Sequence, residues 1–335
     1  MSDKKRVIIT MEQSPVFEDI FADDIMTDLK EYADVILNDL GRKFTKEELA
    51  ERSGDVDAII TAWGAPKIDM SIVEVAPKLK IISHAAGTVK KFISEEIWDA
   101  GIVVTNAASV MAPYVGEFAL CLALALLRTL PKYGFGVTKD AWEGAACVTN
   151  ETLFGKTVGV IGLSHTGREF IRLLAPFNCN ILAYDPYASE EKAASLGVNL
   201  VSLEKLLSTS KVISLHAPIT NETIGMLNAA KLKLIQNGAV FVNTARGILI
   251  DHDALTKELE TGRFKAALDV TYPEPLPADH PLRSLPNVLI TPHIAGPTTD
   301  GRRDMFRCVV DDLKLFWTGQ KIKNEVTKQM LETMA

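Results

Sequence analysis

The sequence predicts an α/β protein made of two doubly wound parallel-sheet domains with a cleft between them. Three observations carry this. At 335 residues the chain has the length of about two domains. Short runs rich in Val, Ile and Leu alternate along it with helical segments. Those runs are continuously apolar, not apolar at every second residue, as strands covered by helices on both faces require.

Composition sets the outer limits. A chain that is 47% hydrophobic and 24% charged is neither disordered nor a repetitive fibre. It is long enough to bury a large core without disulfide or zinc staples. Its 36 basic and 43 acidic side chains leave a net charge of −7, so no broad basic field exists for nucleic acid or an anionic membrane. Cys121, Cys147, Cys179 and Cys308 are scattered without metal-ligand spacing and read as reduced, mostly buried thiols, with no metal site. The apolar run 7–11 after Lys4-Lys5-Arg6 is too short for a signal-peptide core. The apolar stretch 118–127 has half the roughly twenty residues a bilayer span needs. The expectation is a soluble, cytoplasmic protein that handles a small molecule.

In chain order, the first strand-like runs are 7–10, 35–37, 58–61, 79–83 and 102–105. Between them, Thr45 followed by Glu48 forms a capping-box pattern that opens a helix over 45–52, and 94–100 is also helical. Residues 110–130 read as one long helix starting near Ser109, with an early Pro113. The later runs are 157–161, 180–184, 212–215, 239–242, 266–268 and 288–290. Helical patterns at 168–175, 203–207, 229–235 and 253–260 separate most of them, and 305–317 forms a last helix. The 110–130 and C-terminal helices read as crossings between the domains. That assigns 1–108 plus 297–335 to one domain and 109–296 to the other.

The run 157–161 leads into Gly162-Leu163-Ser164-His165-Thr166-Gly167, then a helix, then a strand ending at Asp185, 23 positions after Gly162. Strand, glycine turn, helix, strand and acid is the context of a dinucleotide site. The turn's amides and the helix N-terminus would hold a pyrophosphate. The Asp185 carboxylate would accept from a ribose and repel a 2′-phosphate, which favours NAD over NADP. Ser164 stands where a glycine usually lets the backbone approach the phosphates.

Ligands of doubly wound sheets bind beyond the carboxyl ends of the strands. The later runs end in His216, in Thr244-Ala245-Arg246, in Asp269 and in His293. Four strand ends thus bring histidines, an arginine and a carboxylate to one edge.

These segments resemble a known family. Residues 155–162, 214–218, 243–247, 267–275 and 291–296 are similar to the D-isomer-specific 2-hydroxyacid dehydrogenases, most densely over 154–296. The resemblance implies a flavodoxin-like substrate domain with a Rossmann NAD-binding domain inserted between its two pieces. It implies NAD-dependent interconversion of a small 2-keto acid and its D-2-hydroxy acid. Arg246 would bind the substrate carboxylate and polarise the carbonyl; His293 would be the acid–base, paired with Glu274. Dinucleotide contacts would come from Gly162, Ser164, His165, Thr166, Gly167, Asp185, His216, Pro218, Thr244, Ala245, Arg246, Asp269, His293 and Gly296, with Asp269 near the nicotinamide. Substrate contacts would include amides near Ala86 and Gly87. A homodimer through the nucleotide domain is also implied, with the helix from Val110 as the candidate interface.

The sequence departs from the family at Val89-Lys90, which replaces the usual Asp-Asn or Asp-His. A formate dehydrogenase of the same fold would carry glutamine in place of Glu274. A non-catalytic NAD(H)-sensing corepressor is the alternative function. With the sequence ending at Ala335, the expectation is a chain without the regulatory domain of many phosphoglycerate dehydrogenases, which weakens that substrate without removing it. Among the remaining residues, His252 and Lys90 read as surface, His280 as loop and His165 as exposed. His84 and Trp63 fit either the cleft or the core.

Overall fold

The computed structural model describes residues 4–133 and 150–334. Two compact units divide the chain: Met1–Met111 with Pro297–Met334, and Ala112–Gly296.

The first unit contains a five-stranded sheet of β1 (Lys5–Glu12), β2 (Ala33–Asn38), β3 (Ala58–Thr61), β4 (Ile81–His84) and β5 (Val103–Asn106), in the order β2-β1-β3-β4-β5. All its pairings are parallel. Alternate residues of β1 face opposite ways, as the strand pleat demands. Val7 and Ile9 join a core with Phe21, Leu29 and, from the helix Thr299–Trp317, Phe306 and Val310; Ile8 joins another with Leu49, Ile72 and Ile97. The capping box forms: Glu48 N–H donates to Thr45 Oγ1 at 3.3 Å, and Thr45 N–H donates to the Glu48 carboxylate at 2.9 Å. The C-terminal helix starts earlier than the apolar pattern suggested, because Thr298 caps it by accepting from Gly301 N–H at 2.9 Å. Its first turn is polar and carries no periodicity to read.

The second unit contains β6 (Thr157–Ile161), β7 (Asn180–Tyr184), β8 (Asn199–Leu200), β9 (Val212–Leu215), β10 (Val240–Asn243), β11 (Lys265–Leu268) and β12 (Val288–Ile290). Their order is β12-β11-β10-β9-β6-β7-β8, again with parallel pairings throughout. The winding reverses between β6 and β9, the switch point where such sheets take ligands. At two residues, β8 is too short to leave a readable apolar run.

The long helix spans Ala108–Leu127 and the chain restarts as Leu130–Tyr133 after Thr129, whose φ is 57°. At 20 residues it is long and apolar enough to cross a membrane by length and composition, so the ten-residue argument above does not hold. Packing gives it a place in the core instead: Ala119, Leu122, Ala123 and Leu126 are buried in one cluster with Val158 and Val160 of β6. A Cβ on Gly116 would stand 3.0 Å from Phe170 N, so this glycine sets how closely the 165–173 helix approaches. The cysteines are less buried than expected: Cys308 is buried, Cys179 half-buried and Cys121 exposed, while Cys147 lies outside the described residues.

Two histidines sit in the cores. His84 ends β4, fully buried, with Nδ1 2.8 Å from Thr61 Oγ1 and its ring 4.8 Å from Phe92. Burial pushes His84 down to about 4 and His216, just after β9, down to about 3. Below the ordinary histidine range near 6.5 the unfolded chain protonates these rings while the folded chain does not. Stability is therefore lost as pH falls from about 6.5 towards 4, by about 3 kcal/mol for His84 alone. Urea unfolding between pH 7 and pH 4 checks this: His84→Gln should flatten the loss, and an equally steep loss in that variant contradicts it.

Candidate active site

β6 runs into Gly162, whose φ of 94° suits glycine, and a Cβ there would lie 2.7 Å from Ala217 N. A Cβ on Gly167 would lie 2.1 Å from Gly162 O. The first and third glycines thus answer to close backbone approach. Ser164 needs no such freedom, because its φ is −61°. Its hydroxyl turns into the protein, donating to His216 O at 2.9 Å and accepting from Gly167 N–H at 3.4 Å as the N-cap of the helix His165–Leu173. Thr166 Oγ1 lies 3.0 Å from the same hydroxyl. His165 is exposed, with Nδ1 3.2 Å from Arg168 Nη2; partial desolvation and that cation lower its pKa. After β7, the half-buried Asp185 carboxylate accepts from Leu163 N–H at 2.8 Å and Tyr187 N–H at 2.9 Å. A glycine turn that a Cβ would fill, opening a helix beside a carboxylate, fits a dinucleotide.

Beyond β9 to β12 the predicted residues behave differently from one another. His216 does not present its imidazole at the sheet edge. The ring is buried with Nε2 2.8 Å from Ser214 Oγ, because residues two apart on a strand share a face. The backbone of His216 and Ala217 lines the glycine turn at Gly162, and a Cβ on Gly167 would lie 3.4 Å from the His216 Cβ. Pro218 O accepts from Thr223 Oγ1 at 2.7 Å. After β10, Thr244 is buried with no partner for Oγ1, an orphaned group that a bound ligand would satisfy. Asn243 braces this turn on both sides, accepting from Ala245 N–H at 2.9 Å and donating to Arg246 O at 3.0 Å. Arg246 is half-buried and donates to Ala245 O at 2.6 Å; burial lowers its pKa and the charge of Glu274 raises it again.

Asp269 is also turned inward. Its carboxylate accepts from Thr291 Oγ1 at 2.7 Å, Ile294 N–H at 2.9 Å and Ala295 N–H at 3.0 Å, and its carbonyl accepts from His293 N–H at 2.9 Å. Expected near the nicotinamide, this carboxylate braces the segment that carries His293 and ends at the buried Gly296. That bracing holds His293 at a φ of 55°, a conformation uncommon outside glycine and frequent at functional sites. His293 Nδ1 lies 2.5 Å from Glu274 Oε1. Both side chains are nearly half exposed, at 46% and 43%. With Nδ1–H donated to Glu274, Nε2 is the nitrogen available to a substrate.

Residues 120–295 match the D-isomer specific 2-hydroxyacid dehydrogenase, NAD binding domain. The chain belongs to that family. A glyoxylate reductase of Korarchaeum cryptofilum is 34% identical over 292 residues, covering 86% of this chain and 88% of that protein. A D-3-phosphoglycerate dehydrogenase of Archaeoglobus fulgidus is 35% identical over 289 residues, covering 86% of this chain and 54% of that protein. The chain therefore spans about half the length of the phosphoglycerate dehydrogenases it matches. Among solved structures, an NADPH-dependent glyoxylate/hydroxypyruvate reductase from Sinorhizobium meliloti is similar at a TM-score of 0.77 and 25% identity, covering 97% of this chain and 98% of that one.

The first unit holds the other predicted positions. Ala86 is buried and donates its amide to His84 O at 2.8 Å inside the loop. Gly87 O accepts from Asn106 Nδ2 at 2.7 Å, and a Cβ on Gly87 would meet the Met111 side chain at 2.7 Å. Lys90 is exposed, as is Trp63 at 44%, which excludes a packed core role for that tryptophan. His280 caps the short turn Pro281–Arg283. Sequence reasoning missed Asn243 and misplaced His252, which is 8% exposed and not on the surface. Asn243 had a readable signal as the last residue of an apolar strand; His252, between two aspartates, had none.

Proposed function

We propose that the chain interconverts a small 2-keto acid and its D-2-hydroxy acid with NAD(H). The 2.5 Å His293–Glu274 contact, with Arg246 close enough for its pKa to respond to Glu274, is the observation that supports this most directly. The nicotinamide, when bound, supplies or accepts hydride. Arg246 binds the substrate carboxylate with its planar fork and draws electron density from the carbonyl. In reduction His293 gives its Nε2 proton to the carbonyl oxygen while Nδ1–H stays on Glu274. Glu274 accepts the Nδ1 hydrogen and orients the ring so that Nε2 faces the substrate. In oxidation the neutral imidazole takes the hydroxyl proton back. Asp269 keeps the histidine segment in register throughout.

Asp185 supports NAD over NADP. Its carboxylate is held by two amides at the end of β7, where a 2′-phosphate would meet a fixed negative charge. NADH oxidation against a panel of 2-keto acids, with NADPH in parallel, tests both readings. Turnover with NADH and a marked preference for one acid supports them. Dinucleotide binding with no turnover favours the NAD(H)-sensing alternative. Asp185→Ser should improve the NADPH-to-NADH ratio by about ten-fold, the scale of one charge–charge contact near a surface; an unchanged ratio removes Asp185 as the selector.

The same reading includes a homodimer. Leu120 and Leu124 of the long helix are only half-buried, and Cys121 beside them is exposed. Sedimentation equilibrium of the wild type and Leu124→Glu would test that surface.

A further inference from the structure

We propose that His252 is a positioning residue for the Glu274–His293 pair, acting by holding the backbone two residues before Glu274. The inference rests on the catalytic reading given above.

His252 is the first residue of the helix His252–Glu260, capped by Asp251, and it is buried. Its Nδ1 lies 3.2 Å from Ile250 O, and a carbonyl oxygen can only accept, so Nδ1 carries the hydrogen. Tyr272 N–H donates to Nε2 at 3.1 Å. One neutral tautomer satisfies both contacts, and protonation would remove the acceptor. Burial lowers the pKa of His252, and nearby His280 acts in the same direction; the Ile250 carbonyl, Asp251 and Asp253 act against them.

The backbone that His252 grips is held elsewhere too. A Cβ on Gly247 would lie 2.1 Å from Thr271 C and O and 2.6 Å from Tyr272 N. The turn that follows Arg246 therefore lies directly against Thr271 and Tyr272. Thr271 Oγ1 donates to Pro273 O at 2.9 Å and stiffens the next step towards Glu274. The Glu274 side chain is 43% exposed, so its surroundings alone do not fix it. Its 2.5 Å contact with His293 depends on the backbone from which it hangs. His252 thus ties the α-helical start after the Arg246 turn to the loop that supplies the partner of His293.

Two variants test this. His252→Leu removes the acceptor with similar bulk, whereas the side-chain oxygen of His252→Gln can reach the Tyr272 amide from about the position of Nε2. In His252→Leu, kcat for keto-acid reduction should fall roughly ten- to a hundred-fold with NADH binding near wild type. The His293 Nδ1–H resonance, held downfield by the hydrogen bond to Glu274, should move upfield. His252→Gln should recover most of kcat and the original resonance. A kcat loss with an unmoved resonance and no rescue by glutamine would mean a merely structural role and overturn the proposal, as would unchanged kinetics in His252→Leu.

If the wild type turns over no 2-keto acid, the catalytic reading fails by itself and histidine NMR decides this one. The His293 Nδ1–H resonance, assigned through its absence in His293→Asn and held downfield by the hydrogen bond to Glu274, should move upfield in His252→Leu. Coincident resonances would overturn the positioning role.

Discussion

Replacing His293 with asparagine should lower keto-acid reduction by roughly 10²- to 10⁴-fold, the usual contribution of a positioned general acid. Asparagine is the informative choice because it tolerates the left-handed backbone that His293 adopts at a φ of 55°. A bulkier residue would confound lost proton transfer with backbone strain. The variant leaves the Asp269 contacts to Ile294 and Ala295 intact, so the segment should keep its path. In the wild type, reduction should slow as pH rises, because an imidazole that has lost its proton has none to give. Oxidation should show the opposite trend. Stopped-flow single-turnover rates across pH, with dinucleotide binding and circular dichroism as controls, check this. A pH profile that survives the substitution unchanged would remove His293 from the acid–base role.

Changing Arg246 to lysine should reduce kcat/KM for the keto acid by about a hundred-fold, equivalent to about 2.7 kcal/mol of lost transition-state stabilisation. Charge is kept in this variant, so the loss measures the planar two-pronged donor that an ammonium cannot copy. The effect should fall on both KM and kcat, since the same fork binds the carboxylate and polarises the carbonyl. NADH binding, followed by fluorescence, should stay near wild type. Arg246 Nη1 also donates to Ala245 O at 2.6 Å, so thermal unfolding must be compared in parallel. An equal loss of dinucleotide and keto-acid binding would instead assign Arg246 to the integrity of the β10 turn.

The architecture and the edge that carries the chemistry were legible in the amino-acid order. Apolar runs such as 157–161 and 212–215 mark strands covered on both faces, and parallel strands all end on the same side. Hence Arg246, Asp269 and His293, each just past a strand, could be placed at one edge before any coordinates. Glu48, three residues after Thr45, likewise announced its helix start. What local pattern does not encode is where a side chain turns once its strand has ended. His216 turns back to Ser214, Asp269 reaches to Ala295, and Ser164 turns to His216 O and not to the space before the helix. His252 finds Tyr272 20 positions away. Each of these directions is set by a donor or acceptor that only the packed loops bring within 3 Å or so, and burial makes leaving such a group unpaired costly. The sequence by itself therefore determined the sheets, their edge and the types of group delivered there. Tertiary structure alone decided how closely His293 and Glu274 meet and that His216, Asp269 and His252 turn inward, because those choices depend on contacts between segments that no single stretch of chain contains.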